Sequence, residues 1–353
     1  MAHERYVGNG TTALTAALVG LGCEARGGLV ALPATVCPSV VAAIFASGKR
    51  PYFVDIEGES MGLCPERLAA IDAPLAAVVA VHAFGTPCRI GELAQVCRQR
   101  GVALIEDCAQ AEGATADGQP VGSSGDVAIF SYGAGKILDL GGGGRLVTRD
   151  DALAARVDAF AASLPEHADE QAAGDLGHIY KLFYNRCYPQ RLEPFRYIFA
   201  RLFAEAGVRM LGGLATAQRT RIDSARARLD EVVAARRRKH ALYAELLASR
   251  RELTLLPLRP GAVPWRFDLW LEPPVRERVL RAMLAERRNV SSWYPDITPF
   301  LGRDEHPCTP LPVSEWLSGG VLNLWLDEQT DEAEIHATCR RLCELLDGSA
   351  SRS

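Results

Sequence analysis

Lys136 stands in a setting where a lysine can do covalent chemistry. It follows the short apolar run at 127–131 on a loop that contains glycines, and the glycine run 141–144 comes shortly after it. The amine of a lysine is a nucleophile that condenses with carbonyl compounds, and its flexible stem lets it reach an aldehyde carbon. We therefore expect Lys136 to hold an aldehyde cofactor as an imine.

The segment between the apolar runs 127–131 and 144–148, which we call the lysine loop (132–143), also fits structures that bind no aldehyde. A lone GxGK segment is also typical of a solvated loop, and four consecutive glycines also fit a hairpin or a close approach by a ligand or subunit. A nucleoside-triphosphate loop is excluded, because the GxxxxGK[ST] pattern needs glycine where the chain has Phe130 and Ser or Thr where it has Ile137.

Asp107 ends the apolar run 102–107, so its carboxylate is expected at the carboxyl edge of a sheet. A carboxylate that faces a pyridine nitrogen keeps that nitrogen protonated and makes the ring an electron sink. Gln110, three residues later, is placed to donate to an oxygen on the same ring. Taken alone, Asp107 also fits the start of a turn and Gln110 a polar loop residue.

A phosphate group would find donors near the start of the chain. Gly10, Thr11 and Thr12 precede an apolar helix, whose free N–H groups and positive dipole end favour an anion. The hydroxyl of Ser131, at the end of another apolar run, suits the same phosphate. The simpler interpretation of the two threonines is ordinary helix capping.

Short apolar runs alternate with helical stretches through the first half of the chain, which is typical of an α/β fold with a mainly parallel sheet. The helix candidates are long enough for crossover connections. The strand candidates are 28–32, 51–55, 76–81, 102–107, 127–131 and 144–148, and the helix candidates include 11–22, 38–47 and 91–100.

The composition and charge of the chain argue against several classes of protein. The chain has 353 residues and a net charge of −4, which gives no general attraction to nucleic acid or to anionic membranes. Its ten cysteines are scattered without a CxxC pair, so we expect reduced thiols and no metal site. Neither a signal peptide nor a membrane-spanning run is found, and we expect a cytoplasmic protein.

The second half has a different organisation. We expect a large cofactor domain at 1–213, with a helical aromatic and basic insert at about 165–210, then a linking helix and a small C-terminal domain at 214–353. The insert, richest in aromatics over 178–210, fits a helical segment packed on the sheet or across a dimer, or alternatively a surface for a carrier or membrane partner. The linking helix is predicted at 214–250. Further strands are predicted at 266–271 and 321–326, and helices near 274–287 and 330–346.

In the order and spacing of these motifs, the chain resembles the DegT/DnrJ/StrS-type sugar aminotransferases, which have the aspartate-aminotransferase fold (fold type I). The similar segments are the phosphate loop NGTTAL at 9–14, PYFVDI at 51–56, VHAFG at 81–85, IEDCAQAEGA at 105–114, FSYGAGK at 130–136 and the glycine run at 141–144.

This resemblance implies pyridoxal 5′-phosphate as the cofactor. It implies that Lys136 forms the imine, that Asp107 pairs with the pyridine nitrogen and that Gln110 lies beside the ring hydroxyl. It places Ser131 with Gly10, Thr11 and Thr12 at the phosphate and Cys37 at the ring face. The dehydratase branch of the family has histidine in place of the lysine, so transfer of an amino group is the expected reaction. Glutamate is the expected donor, and a nucleotide-linked keto-sugar or a cyclitol the expected acceptor. A homodimer with shared active sites is also implied.

The chain departs from the family pattern at several positions. The phosphate loop begins near residue 8, whereas the resemblance leads us to expect a longer arm ahead of it, and the aromatic residue that covers the cofactor aligns near Cys37. Gly142 stands in place of a glutamate, and Gly207 in place of the asparagine that reaches the neighbouring subunit's phosphate. Asn185 and Arg186 are candidates to replace that asparagine.

Three residues of the C-terminal part are candidate contacts for the acceptor: Trp293, Tyr294 and Arg266. Aromatic residues there also fit a hydrophobic core. Two alternative functions stay open. One is another pyridoxal-phosphate reaction, a lyase, racemase or replacement step. The other is a cofactor-binding regulatory protein without turnover.

Overall fold

A computed structural model describes residues 2–22, 28–166, 171–172, 174–175, 177–178, 196–301 and 306–350. It contains a seven-stranded sheet, a four-stranded sheet and a two-stranded hairpin. The strands are β1 (His3–Val7), β2 (Leu29–Pro33), β3 (Arg50–Val54), β4 (Leu75–Val81), β5 (Ala103–Asp107), β6 (Thr115–Ala116), β7 (Gln119–Pro120), β8 (Val127–Ser131), β9 (Gly144–Thr148), β10 (Thr254–Leu255), β11 (Phe267–Trp270), β12 (Val290–Ser291) and β13 (Val321–Leu324).

Helices connect and cover these strands. A single 3₁₀ turn at Ala83–Gly85 follows β4. The helices are α1 (Gly10–Gly20), α2 (Pro38–Ala46), α3 (Pro65–Ala69), α4 (Ile90–Arg100), α5 (Asp151–Ala162), α6 (Arg196–Arg209), α7 (Thr216–Arg226), α8 (Leu229–Leu247), α9 (Pro273–Ala285), α10 (Thr298–Leu301), α11 (Pro312–Gly320) and α12 (Glu332–Ala350).

The large sheet has the order β1-β9-β8-β5-β4-β2-β3. Strands β3, β2, β4, β5 and β8 run parallel, whereas β9 is antiparallel to both of its neighbours. Helices α1 and α2 are almost entirely buried, which explains why their sequences are apolar all round. The predicted α/β fold with a mainly parallel sheet is confirmed, and each of the six predicted strands lies within one residue of an observed one.

Strand β1 was not predicted from the sequence. It pairs antiparallel with β9, with Val7 opposite Gly144, and its side chains are mostly half exposed because it forms the edge of the sheet. A buried arginine of β9, Arg145, donates to the Glu4 carboxylate at 2.7 Å and to Glu112 at 3.0 Å. These contacts fix the chain just before the predicted phosphate loop.

The four-stranded sheet has the order β10-β11-β13-β12 and is antiparallel throughout. It packs against α8, α9 and α12 around a separate cluster of buried side chains that includes Phe267, Leu269 and Leu322. Strands were expected in this region at 266–271 and 321–326, and both are present. The domain boundary at 213/214 remains a prediction.

The linking segment differs from the predicted single helix over 214–250. Helix α7 ends at Arg226, and α8 begins at Leu229 after a short interruption. Asp230 and Glu231 lie in the first turn of α8, where negative side chains favour a helix start. The linker is therefore two helices, and only α8 contributes to the C-terminal core.

Helix α6 is the longest continuous part of the aromatic and basic insert that the structure describes. It packs on α2 and on α10, and the rings of Phe199 and Phe300 meet edge-on at 5.2 Å between centroids. Residues 179–195, including Asn185 and Arg186, lie outside the described part of the chain. Among the residues that the structure does describe, no helix combines the length and apolar character needed to cross a membrane.

Candidate active site

The predicted site residues come together at the carboxyl edge of the large sheet. Asp107 ends β5 and Ser131 ends β8, and these strands are neighbours in the parallel part of the sheet. Lys136 follows β8 on the loop that leads to β9, and its charge acts on the Asp107 carboxylate. Gly10 begins α1 and lies directly against Ser131. The topology therefore places an amine, a carboxylate and a helix N-terminus around one crevice.

Asp107 is a buried carboxylate, with 3 % of its surface exposed. It accepts a hydrogen bond from the N–H group of Ala109 at 2.9 Å. Burial raises the pKa of Asp107, and the Lys136 charge and the Ala109 N–H group oppose that rise. A carboxylate in such surroundings is suited to pairing with a cationic N–H group of a ligand.

A fully buried pair of side chains supports the strand that carries Asp107. His82 and Glu106 are 3.1 Å apart, Nε2 to Oε2, and both are shielded from solvent. The Glu106 carboxylate also accepts hydrogen bonds from the N–H groups of Gly122, Ser124 and Gly125 at 2.8, 2.6 and 2.6 Å. These bonds fix the loops behind the crevice, and they occupy the carboxylate oxygens that a metal ion would need.

Gln110 lies where three segments of the chain meet. Its Oε1 accepts a hydrogen bond from the N–H group of Phe84 at 2.8 Å. The hydroxyl of Tyr294 lies close enough to Cys37 and Gln110 for both side chains to influence its pKa, which burial raises. Tyr294 in turn stacks on Trp265, with the ring planes 16° apart and the centroids at 5.8 Å. An aromatic side chain from the C-terminal part therefore stands beside Cys37, the position near which the family's aromatic residue aligns.

The predicted phosphate loop forms a cradle at the start of α1. A β-carbon on Gly10 would lie 2.8 Å from the β-carbon of Ser131, so only glycine lets the two segments approach this closely. The side chain of Asn9 caps α1 by accepting from the N–H group of Thr12 at 2.8 Å. The anion-binding potential of this terminus therefore lies with Gly10, Thr11 and Ser131.

The two threonines differ in their surroundings. The Thr12 hydroxyl donates to the Met210 carbonyl at 3.1 Å and accepts from the N–H group of Gly212 at 3.3 Å. Thr12 is fully buried, whereas Thr11 retains slight exposure. Of the two hydroxyls, that of Thr11 is the better placed for a ligand, and that of Thr12 ties α1 to the segment after α6.

The glycine run after Lys136 serves the chain's own packing. A β-carbon on Gly144 would overlap the carbonyl of Asn9, because β9 starts against the phosphate loop. Gly143 has a positive φ of 106°, and its N–H group donates to the Gly8 carbonyl at 2.8 Å. Gln218 holds the Gly142 carbonyl with its side-chain amide at 2.7 Å. These glycines thus bring the lysine loop and the phosphate loop together.

The backbone of the lysine loop is held by two residues that the sequence did not reveal. Arg236 of α8 donates to the carbonyls of Lys136 and Ile137 at 3.2 and 3.4 Å. The indole N–H group of Trp265 donates to the Gly135 carbonyl at 2.7 Å. Arg236 sits in a run of charged residues that is typical of a solvated helix face, yet only 3 % of its surface is exposed.

The three C-terminal candidates occupy different positions. Asn323, fully buried, accepts from the N–H group of Trp293 at 2.7 Å and donates to its carbonyl at 2.9 Å, which fixes the segment that carries Tyr294. Arg266 lies beside Gly135, and its Nη2 would be 2.9 Å from a β-carbon on that glycine. Tyr294 and Arg266 therefore border the crevice.

The sequence model of the DegT/DnrJ/EryC1/StrS aminotransferase family matches residues 1–186, more than half of the chain. The chain belongs to this family. The matched region contains Lys136, Asp107 and the phosphate loop.

Individual members of the DegT/DnrJ/EryC1/StrS family show how far the similarity extends. A dTDP-4-dehydro-2,3,6-trideoxy-D-glucose 4-aminotransferase from Saccharopolyspora spinosa is 30% identical over 338 residues, which cover 94% of this chain and 81% of that protein. Protein MosB from Rhizobium meliloti is 41% identical over 150 residues, which are 42% of this chain and only 29% of MosB. The chain thus spans less than a third of the length of that relative.

Solved structures support the fold. The aminotransferase TlmJ from Streptoalloteichus hindustanus superposes with a TM-score of 0.75 at 23% identity, over 98% of this chain and 86% of TlmJ. The mixed α/β architecture with its large, mostly parallel sheet is therefore that of the DegT/DnrJ/EryC1/StrS aminotransferases.

One departure from the DegT/DnrJ/EryC1/StrS pattern has a physical reason in the structure. A β-carbon on Gly207 would overlap the carbonyl oxygen of Ala42, because α6 crosses α2 at this point. An asparagine at position 207 would therefore separate the two helices.

Members of this family are in general pyridoxal-phosphate enzymes, and the crevice of this chain fits such a group. The cradle at Gly10 and Ser131 offers N–H groups and a hydroxyl to a phosphate. The buried carboxylate of Asp107, at the end of the neighbouring strand, suits a protonated ring nitrogen, and Lys136 provides the amine.

Proposed function

We propose that this protein is a pyridoxal 5′-phosphate-dependent aminotransferase that moves an amino group from an amino acid, glutamate first, to a keto acceptor. The proposal rests on one observation. The Lys136 amine is close enough to the buried Asp107 carboxylate to influence its pKa, at the edge of the large sheet where α1 presents its N-terminus. Membership in the DegT/DnrJ/EryC1/StrS aminotransferase family supports it.

The binding residues have distinct tasks. Ser131, Gly10 and Thr11 hold the phosphate, with Thr12 securing the helix behind them. Asp107 holds a proton on the pyridine nitrogen, because a buried carboxylate is stabilised by a cationic partner. Gln110 and Cys37 lie at the ring. When bound, the cofactor supplies an electron sink and carries the amino group between the two substrates.

Lys136 has two tasks in this proposal. Its amine anchors the cofactor in the resting enzyme, and after the donor has replaced it the same amine takes a proton from the donor's α-carbon and returns it during the transfer. The bonds from Arg236 and Trp265 to the loop backbone limit the positions open to the amine. Fixing the reacting amine in this way lowers the entropic part of the barrier.

For the acceptor we propose a nucleotide-linked keto-sugar, with a cyclitol as the related possibility. Support comes from the Saccharopolyspora spinosa relative, whose name specifies a dTDP-linked dehydro-sugar and which aligns with 94% of this chain. We also propose a homodimer with shared active sites and a domain boundary at 213/214. Light scattering measures the first, and limited proteolysis followed by mass spectrometry of the fragments maps the second.

The first experiment is to locate the lysine. The chain has only four lysines, Lys49, Lys136, Lys181 and Lys239. Borohydride reduction of the pyridoxal-phosphate form, followed by peptide mass spectrometry, is expected to place the pyridoxyl group on Lys136 alone. Lys136→Ala should lose the modification and Lys239→Ala should keep it. Modification of another lysine would refute the assignment.

The second experiment follows the reaction. On addition of L-glutamate, the absorbance of the bound cofactor is expected to change with release of one equivalent of 2-oxoglutarate. A nucleotide-linked 4-keto-sugar should then restore the original spectrum. If none of the amino donors produces this half-reaction while racemisation, elimination or replacement products form, the protein catalyses another pyridoxal-phosphate reaction.

A further inference from the structure

A cavity of about 540 Å³ lies where α8, the segment 258–264 and the β6–β7 hairpin meet. Its volume is in the range of small-molecule sites. Arg237 and His240 of α8 line it, together with Arg259 and Thr115 from the other two segments. None of the described residues that line it is an aspartate or a glutamate. The cavity therefore combines two cations, an imidazole and a hydroxyl without a carboxylate of its own.

His240 has hydrogen-bonding capacity that the chain does not use. Its ring packs against Phe267 with the centroids 4.9 Å apart, and neither ring nitrogen is hydrogen-bonded to a described residue. Burial lowers the pKa of its imidazole. At neutral pH His240 therefore offers an N–H donor to the cavity more than a charge.

The two arginines of the cavity also keep free donors. Arg237 uses Nε and Nη2 for the Ala262 carbonyl at 3.3 and 3.0 Å. Arg259 uses Nη1 for the Pro87 carbonyl at 3.3 Å. Within the described chain these are the only hydrogen bonds of the two side chains. Each guanidinium is thus anchored at one nitrogen pair or one nitrogen, and its remaining N–H groups are available to a ligand.

The charges of these arginines are not neutralised by an ion pair with a described carboxylate. Glu92, close enough to be influenced by Arg259, already accepts from Nε of Arg89 at 2.7 Å. The bond from Arg89 is the main cause that lowers the pKa of Glu92, and the charge of Arg259 adds least to that shift. A cleft lined by charges of one sign raises the local concentration of oppositely charged ligands. An anion is the ligand that this cavity favours.

We propose that the cavity binds the phosphate group of a small molecule. A phosphate carries about two negative charges and three acceptor oxygens, which match two guanidinium groups, an imidazole N–H and the Thr115 hydroxyl. A carboxylate would pair with one guanidinium and leave the other without a partner. The site is separate from the cradle at Gly10 and Ser131, and it does not depend on the reaction at Lys136.

The cavity is one residue away from a contact that holds the lysine loop. Pro264 lines the cavity, and the indole of the next residue, Trp265, donates to the Gly135 carbonyl at 2.7 Å. Arg237 follows Arg236, which donates to the carbonyls of both Pro264 and Trp265. A phosphate bound by Arg237 would therefore restrain the segment that positions the lysine loop, and should reduce local opening of that loop.

The first test measures the binding of inorganic phosphate by isothermal titration calorimetry at constant ionic strength. The protein is loaded with pyridoxal phosphate and reduced with borohydride, so that the cradle is filled, and Ser131→Ala without cofactor is the second background. We expect Arg259→Gln to weaken the affinity by about 10-fold or more, because a charged hydrogen-bond donor is lost. His240→Phe keeps the ring against Phe267 and should weaken it by about threefold or more.

Arg238→Gln is the matched control, because Arg238 is an exposed arginine of the same helix that does not line the cavity. It should change the affinity less than about twofold. Circular dichroism and thermal unfolding confirm that the variants are folded. The proposal is overturned if the wild type binds no phosphate saturably in either background, if Arg259→Gln binds as tightly as the wild type, or if Arg238→Gln loses as much as Arg259→Gln.

Thymidine diphosphate distinguishes the sources of the phosphate group. Tighter binding than inorganic phosphate that is lost in Arg259→Gln would identify a nucleotide, and equal affinity would identify phosphate itself or a simple ester. Hydrogen–deuterium exchange tests the link to the lysine loop. Saturating phosphate should slow exchange in the lysine-loop peptide by about twofold or more in the wild type and in Arg238→Gln, but not in Arg259→Gln. Unchanged exchange in a protein that binds phosphate would refute the link.

Discussion

Replacing Arg236 tests how strongly the C-terminal part holds the lysine loop. Its guanidinium donates to four carbonyls, those of Lys136 and Ile137 at 3.2 and 3.4 Å and those of Pro264 and Trp265 at 3.4 and 3.0 Å. If each of the two shorter bonds contributes about 2 kcal/mol and each of the two longer bonds about 1 kcal/mol, the four bonds together contribute about 6 kcal/mol.

The cost of burying the charge reduces that contribution. Burial, and secondarily the charge of Arg266, lower the pKa of Arg236 from 12.5 to about 10. That change corresponds to about 3 kcal/mol. Arg236→Met keeps the apolar stem but leaves the four carbonyls without their donor, so we expect it to reduce the free energy of unfolding by about 3 kcal/mol.

Urea denaturation followed by circular dichroism measures the loss. Arg237→Met is the control on the same helix, because its side chain is exposed and bonds to the single carbonyl of Ala262. We expect it to cost less than about 1 kcal/mol. Borohydride trapping at Lys136 should also be slower in Arg236→Met. The reasoning is wrong if the two variants unfold at the same urea concentration.

Two further predictions concern other parts of the fold. Gly207→Ala would push a methyl group into the carbonyl of Ala42, and we expect it to destabilise the protein by about 2 kcal/mol in urea denaturation. The control is Gly348→Ala, which lies in α12 with open space around it and should be neutral or stabilising by up to about 1 kcal/mol. Equal effects of the two substitutions would contradict the contact between α6 and α2. Burial raises the pKa of Asp268 to about 7. The folded protein then keeps a proton that the unfolded chain releases above about pH 4, so stability falls as the pH rises from about 4 to 7, by at most about 4 kcal/mol. Asp268→Asn keeps the bond from Asn323 and should abolish this fall in thermal unfolding across that pH range; an unchanged pH profile would show that Asp268 titrates normally.

The sequence predicted the strands of the parallel region well because each is buried on both faces. Residues 76–81 and 127–131, for example, are nearly continuous apolar runs, which are typical of strands buried on both faces of a parallel sheet. Strand β1 was missed because His3–Val7 lies at the edge, has half-exposed side chains and forms only by pairing with β9, about 140 residues away in the chain. A single sequence contains no information about such a partner.

The candidate site was predicted only in part for a similar reason. Lys136 and Asp107 could be proposed because each follows an apolar strand in a motif of recognisable order. Arg236 and Trp265, which were not predicted, have their partners about 100 residues away or more, in the lysine loop. In sequence, an arginine within a charged helix gives no sign that it is buried or that it bonds to carbonyls.

The composition of the lysine loop explains which residues fix the position of Lys136. After Lys136, the side chains of Ile137 and Leu138 are buried in the main core. Before Lys136, Gly133 and Gly135 contribute no side chains, so this stretch of the loop has little apolar surface with which to fix itself. Its position is set instead by bonds from Arg236 and from Trp265, which directly precedes Arg266 and β11. A shift of β11 relative to the large sheet would therefore move the backbone of the lysine loop and the guanidinium of Arg266 together. Lys136 and the start of β11 therefore keep their relative position, because the segment that leads into β11 also holds the lysine loop.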